Sequence, residues 1–180
     1  MTPAPAFPLA GVVAVVGSRH GSPYPVGQFA AAVVQAGGSV VTGCARGVDQ
    51  VAARTAAAAA GVHPARLLPP AYLALNHLPR VLVCRAYDRS ARALAQRTRR
   101  VVEFAQAVAV FPPAGQLGPG STLALSLALR RACSGVAVFY AGPVPPPAVP
   151  YQPPGTWQPA AVAGVAGWLW SPLPDMPPLF

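Results

Sequence analysis

Apolar residues in this chain fall into short β-branched runs separated by longer Ala-rich stretches at helical spacing. Residues 11–17, GVVAVVG, form an uninterrupted run ending in glycine; a polar Gly/Ser/Pro loop to Pro25 and an Ala-rich stretch from Val26 to Ala36 follow. The run predicts a strand buried on both faces and the stretch predicts a helix. The unit then recurs, with GSVVTG (38–43) as strand, CARG as turn and VDQVAARTAAAAAG (48–61) as a helix stopping at Gly61. Short strands alternating with helices of about 10 to 15 residues build βαβ units around a parallel sheet.

ARLLPP (65–70) predicts a third short strand, and residues 71–105 read as mostly helical with a break near Pro79. Within that stretch DRSARALAQRTRRVVEFAQ contains no Gly or Pro. It sets Leu94, Arg97 or Thr98, Val101 and Ala105 at helical spacing, apolar on one side and Arg-bearing on the other. AVAVF (107–111) predicts a strand leading through a Gly/Pro loop into a helix, GQLGPGSTLALSLALRRA, and GVAVFY (135–140) is expected to close the sheet. The expected fold class is α/β: a single Rossmann-like three-layer domain over residues 1–142, with a mostly parallel sheet of about five strands. Residues 143–180 form a Pro-rich extension. Its first part, GPVPPPAVPYQPPGTWQP, suits an extended path along the surface. Its last part, with Trp168, Leu169 and Trp170, is expected to pack back on the core as a short helix, because so much apolar area is costly to leave in water. The alternative for this segment is a homodimer or partner contact.

At 180 residues and 18.3 kDa the chain suits one folding unit, and 53% apolar against 9% charged residues excludes disorder for most of it. Mean hydropathy of +0.43 raises the membrane question, yet each apolar run falls well short of the roughly 20 residues a bilayer requires. The start, MTPAPAFPLAG, lacks the basic region of a secretory signal, so the cytoplasm is the expected compartment. All 13 basic residues are Arg, against 4 acidic ones, for a net charge of +9. Such a domain attracts polyanions and anionic ligands. Cys44, Cys84 and Cys133 match neither a zinc spacing nor a disulfide framework and read as small buried apolar groups. No metal and no cofactor is expected.

Three predicted strands end in loops that combine glycine with hydroxyls or Arg and lead directly into helices. These are Val16-Gly17-Ser18-Arg19-His20-Gly21-Ser22, Thr42-Gly43-Cys44-Ala45-Arg46-Gly47-Val48-Asp49 and Gly115-Gln116-Leu117-Gly118-Pro119-Gly120-Ser121-Thr122. Glycine admits close approach of backbone N–H groups to an anion, and helix N-termini favour negative charge. Each loop taken alone is also what tight strand–helix packing requires; together, on one sheet edge, they make a phosphate site. Neither GxGxxG nor GxxxxGK[ST] is present.

With those residues in place, VVGSR (15–19), TGCARGVD (42–49), QRTRRVVEFAQAVAVF and GPGSTLALSLAL resemble the Rossmann-like core of the DprA/Smf DNA-processing family, within the DprA/LOG (SLOG) superfamily, over roughly residues 10–142. The resemblance implies a ligand edge made by Gly17, Ser18, Arg19, Gly43, Ala45, Arg46, Gly47, Asp49, Arg97, Arg100, Gly118, Gly120, Ser121 and Thr122. It implies single-stranded nucleic acid as partner, held by Arg19, Arg46, Arg97, Arg99 and Arg100 without sequence-specific contacts. Stacking aromatics are sparse, Tyr24, Tyr72 and Tyr87 being the candidates. Proteins of this fold are commonly dimers, so a homodimer is expected. A nucleotide or nucleotide-derived small molecule is the alternative ligand.

LOG-type phosphoribohydrolases resemble the chain too, but carry a catalytic glutamate on the helix after the third loop, where this sequence has Ala124 or Leu125. Its carboxylates, Asp49, Asp88, Glu103 and Asp175, form no evident acid/base pair, which argues against glycosidic hydrolysis and against catalysis generally. Simpler roles stand beside the functional ones. Arg46 and Asp49 suit an i,i+3 surface pair, and Arg97, Arg99 and Arg100 the solvated face of a helix. His20, His63 and His77 suit ordinary hydrogen-bonded histidines, and Cys44, although near a helix N-terminus that lowers thiol pKa, suits packing.

Overall fold

The structure, a computed structural model, describes residues 6–43, 45–62, 80–84, 86–150 and 152–173. The elements are β1 (Val12–Gly17), α1 (Val26–Gln35), β2 (Ser39–Thr42), α2 (Val48–Ala59), β3 (Val81–Val83), α3 (Ala91–Phe104), β4 (Ala107–Phe111), α4 (Pro119–Ala132), β5 (Ala137–Ala141), β6 (Gly155–Val162) and β7 (Val165–Pro172). They form one seven-stranded sheet in the order β3-β2-β1-β4-β5-β7-β6. The first five strands run parallel, and the β6–β7 hairpin is added antiparallel to β5, with Tyr140 opposite Trp168. The layout is Rossmann-like.

Because a strand's side chains alternate between faces, the β1 run serves two cores at once. Val13 and Val15 join Phe29, Val33, Ala52 and Ala56 beneath α1 and α2, while Ala14 and Val16 join Val101, Leu125 and Leu129 beneath α3 and α4. The central strands are therefore continuous apolar runs. Phe29 anchors the first core, its ring 5.3 Å from Phe111 and stacked on Phe139 at 6.0 Å. In the second, Arg131 fixes the end of α3 by donating from Nη1 to the carbonyls of Val102 and, at 2.9 Å, Ala105. The start of α3 is capped by Ser90, whose Oγ accepts from the Ala93 N–H at 3.2 Å.

The structure corrects the helix expected at residues 81–83, the helix expected in the tail and the expected close of the sheet at β5. Residues 81–83 form a strand inside the stretch read as helical: only three residues long, it is made by pairing with β2 and carries too little periodicity to stand out. The strand expected at 65–70 lies outside the described residues, as do His63, Tyr72 and His77. The Trp-bearing segment is a β-hairpin, not a helix, so the sheet does not close at β5. Trp157 and Trp170 meet edge-on at 5.1 Å on the α4 side, while Val162, Val165 and Leu169 enter the α1/α2 core. The turn at Ala163 and Gly164 has positive φ at both positions, the backbone of a tight hairpin. Pro159 is accommodated because β6 is the sheet's outermost strand.

Candidate functional site

The chain builds β1, β2 and β3 outward in one direction and then crosses to place β4 on the other side of β1. The loops leaving β1 and β4 therefore diverge, and a crevice opens between them at the strands' carboxyl ends. Ser22 Oγ spans their far ends, donating to the Pro112 carbonyl at 2.6 Å. A cavity of about 670 Å³ lies here, within the size range of small-molecule sites.

Its wall joins most of the residues singled out from sequence. Gly17, Ser18 and Arg19 come from the β1 loop, Gly43, Ala45 and Asp49 from the β2 loop and α2, Arg97 from α3, and Gly118, Gly120 and Ser121 from the start of α4. Arg46, Gly47, Arg100 and Thr122 are not part of it. Arg46 and Arg100 are exposed, and Thr122 turns its hydroxyl back onto the Gly118 carbonyl at 3.1 Å. Gly47 acts from outside: its φ of +78° and the closeness of the Ser18 carbonyl leave no room for a side chain, so it locks the second loop against the first. Cys44 lies outside the described residues.

Two side chains differ from their simpler sequence reading. Arg97 is not on a solvated face; it is 7% exposed and points under the sheet edge, whereas Arg99 and Arg100 are exposed. Its Nη1 donates to the Gly43 carbonyl at 3.4 Å, and its buried Nε has no hydrogen-bond partner. Gly43 is glycine because a Cβ there would stand 2.5 Å from that Nε. Asp49 is not a surface partner of Arg46; it is 6% exposed, and its Oδ2 accepts from the Ala45 N–H at 3.2 Å. Burial pushes the Asp49 carboxyl up to about 6, against the pull of the Arg97 guanidinium and of hydrogen bonds from Ala45, Thr42 and Gly43. The Cys84 thiol, at the end of β3, is likewise pushed up by burial and drawn back by Arg100 and Arg97.

The third loop contributes backbone donors. At the α4 start Pro119 has no N–H, and the Gly120 and Ser121 N–H groups have no acceptor within the helix, so they face the cavity end of the helix dipole. Among the described residues, chain neighbours and the helix's own backbone aside, nothing lies within 4 Å of a Cβ added at Gly118 or Gly120. Packing does not require these glycines; they leave space. Sequence reasoning did not find the opposite wall, where Ala91, Leu94, Ala95 and Thr98 of α3 present an aliphatic surface. These positions share the helix's apolar side, and only the crossover places them over a cleft instead of the core. Of the aromatic candidates, Tyr24 packs partly into the α1/α2 core and Tyr87 is exposed.

A switch-point cleft, a desolvated guanidinium and the open start of α4 thus meet at one edge of a Rossmann-like domain. The sequence model of the family described as DNA recombination-mediator protein A matches residues 6–67, which span β1 to α2 and the first two loops. Over that stretch the chain is DprA-like, similar to a family of DNA-processing recombination mediators. No curated protein matches the chain. No helix among the described residues is long and apolar enough to cross a membrane.

Proposed function

We propose that this protein binds single-stranded nucleic acid, seating backbone phosphates in the cleft at the switch point. The observation that carries the reading is the convergence of Arg97, Ser18, Arg19 and the first turn of α4 on one cavity, in a chain of net charge +9. A guanidinium already stripped of water offers its free donors to an anion at little further desolvation cost, and the helix start adds two oriented N–H groups. The exposed Arg46, Arg99 and Arg100 extend the field outside the cleft and draw a strand towards it. The similarity of residues 6–67 to a recombination-mediator family supports DNA as the polyanion. No acid–base or covalent step is assigned to the site.

Titrating a fluorescent thymidylate oligomer by anisotropy across a salt series tests this. Binding should weaken linearly in log[salt], and Arg19→Ala should lower the slope by about 0.7, the increment for one phosphate contact on a single strand. A slope unchanged by Arg19→Ala, Arg97→Gln and Arg100→Ala alike would defeat the proposal. The enclosed volume of about 670 Å³ favours a second reading, a nucleotide or nucleotide-derived small molecule as ligand. Saturation by a mononucleotide at one per site, undiminished by moderate salt, would select it. We also propose self-association through the outer edge of β6, an eight-residue strand without a charged side chain; a sedimentation profile that stays monomeric over a wide concentration range would remove that part.

A further inference from the structure

The cleft holds a carboxylate where an anion is proposed to bind. Resting on the anion-binding reading above, we infer that Asp49 is a charge filter, selecting the singly charged phosphodiesters of a strand interior over doubly charged terminal phosphomonoesters.

Asp49 and Arg97 are both more than nine-tenths buried and both belong to the cavity wall. They come from different layers, α2 above the sheet and α3 below it, and meet only past its edge. The β2 loop turns its donors onto Asp49, and these bonds and Arg97 favour the ionised carboxylate against its burial. Asp49 accepts from the Ala45 N–H at 3.2 Å and interacts with Thr42 and the Gly43 N–H, and an Asn side chain offers an acceptor to the same loop. Its charge is costly at this depth, as the upward displacement of its titration shows. A carboxylate buried beside Arg97 in the wall of a cavity proposed for anions points to selection.

The groups facing it set the balance. Arg97 is the cation from α3, and the β2 side supplies the Thr42 hydroxyl. The β1 loop supplies Arg19 and His20, both exposed on the rim, while the α4 side supplies the uncharged Gln116 and Ser121. Cys84, beyond Arg97, titrates far above this range. With Asp49 ionised, Arg97 is neutralised within the wall and Arg19 remains to balance one ligand charge. A diester brings one negative charge; a terminal monoester brings nearly two at neutral pH. By Coulomb's law at an effective dielectric near 20, a carboxylate roughly 10 Å from an anion costs its affinity about tenfold per ligand charge. The filter therefore disfavours the monoester about tenfold more than the diester.

The test uses two probes on the full chain by titration calorimetry: thymidylyl-thymidine with hydroxyl ends, which has one diester, and thymidine 5′-monophosphate. In the His20→Gln background, which removes the rim imidazole, affinity for the dinucleotide should be flat below about pH 5, be roughly halved near pH 6 and be down about tenfold by pH 8. The dinucleotide has no group of its own titrating there, so the fall reports the protein. Asp49→Asn should abolish that pH dependence and at pH 8 shift the ratio of the two affinities about tenfold towards the monophosphate. An unchanged ratio in a folded Asp49→Asn, or a pH-independent dinucleotide affinity in the Asp49 protein, overturns the filter while leaving anion binding intact. If Asp49→Asn does not fold, the pH series alone decides. Failure of both probes to bind either protein at any pH would overturn the anion-binding reading, and the filter with it.

Discussion

Replacing Asp49 by Asn removes a buried negative charge while leaving an acceptor for the Ala45 N–H. Asp49 titrates near 6 in the folded chain against 3.8 for a free aspartate, a displacement of about two pH units. At roughly 1.4 kcal/mol per unit, folding is opposed by about 3 kcal/mol once the group is ionised in both states. The sign follows from the direction. A carboxyl raised by folding contributes its stability in full below the unfolded value near 4, and loses it as pH rises to the folded value near 6. The Asn variant has no such loss. Its advantage over the Asp49 protein should grow from under about 1 kcal/mol at pH 4 to about 3 kcal/mol at pH 7.5, a large share of a typical domain's 5–15 kcal/mol. Urea unfolding of both proteins at these two pH values measures the difference directly. An Asp49 protein more stable than the variant at pH 7.5 would show that pairing with Arg97 outweighs desolvation, and would refute the reasoning.

Other positions separate packing from ligand space. Gly120→Ala, at the second position of α4 with nothing within 4 Å of the new methyl, should leave stability unchanged or raise it by about 0.5–1 kcal/mol in thermal unfolding, while weakening oligonucleotide binding in the same preparation. Gly47→Ala should instead destabilise by at least about 1–3 kcal/mol in urea unfolding, because its φ of +78° and the adjacent Ser18 carbonyl both oppose a side chain. Phe29→Ala should cost about 3–5 kcal/mol, since its ring touches those of Phe7, Phe111 and Phe139 in the α1/α2 core.

Much of this architecture is legible in sequence because its strands are buried on both faces. Continuous runs such as Val12–Gly17 and Ala107–Phe111 leave no doubt about a strand, and a glycine loop before an Ala-rich helix marks each βα turn. β3 escaped because three residues carry no period; its strand character comes from pairing with Ser39–Thr42. The tail misled for a different reason. Its Trp, Leu and Val residues alternate at period two, with Trp168 and Trp170 on one face and Leu169 on the other, but the surrounding prolines and small residues mask the alternation. Within the site, loop composition located the backbone donors. The depth of Arg97 and Asp49 was not legible, because both depend on α2 and α3, from opposite layers, reaching past the same strand end.

The most direct measurement is residue-resolved. Backbone amide spectra of the 18.3 kDa protein, titrated with a hydroxyl-ended thymidylate oligomer at low salt, report where the strand sits. The account predicts shifts concentrated at Gly17–His20, at Gly43 and Ala45, and at Gly118, Gly120 and Ser121, with the outer faces of α1 and α2 silent. Shifts confined to those outer faces, or to the β6–β7 hairpin, with the cleft amides unmoved, would contradict it.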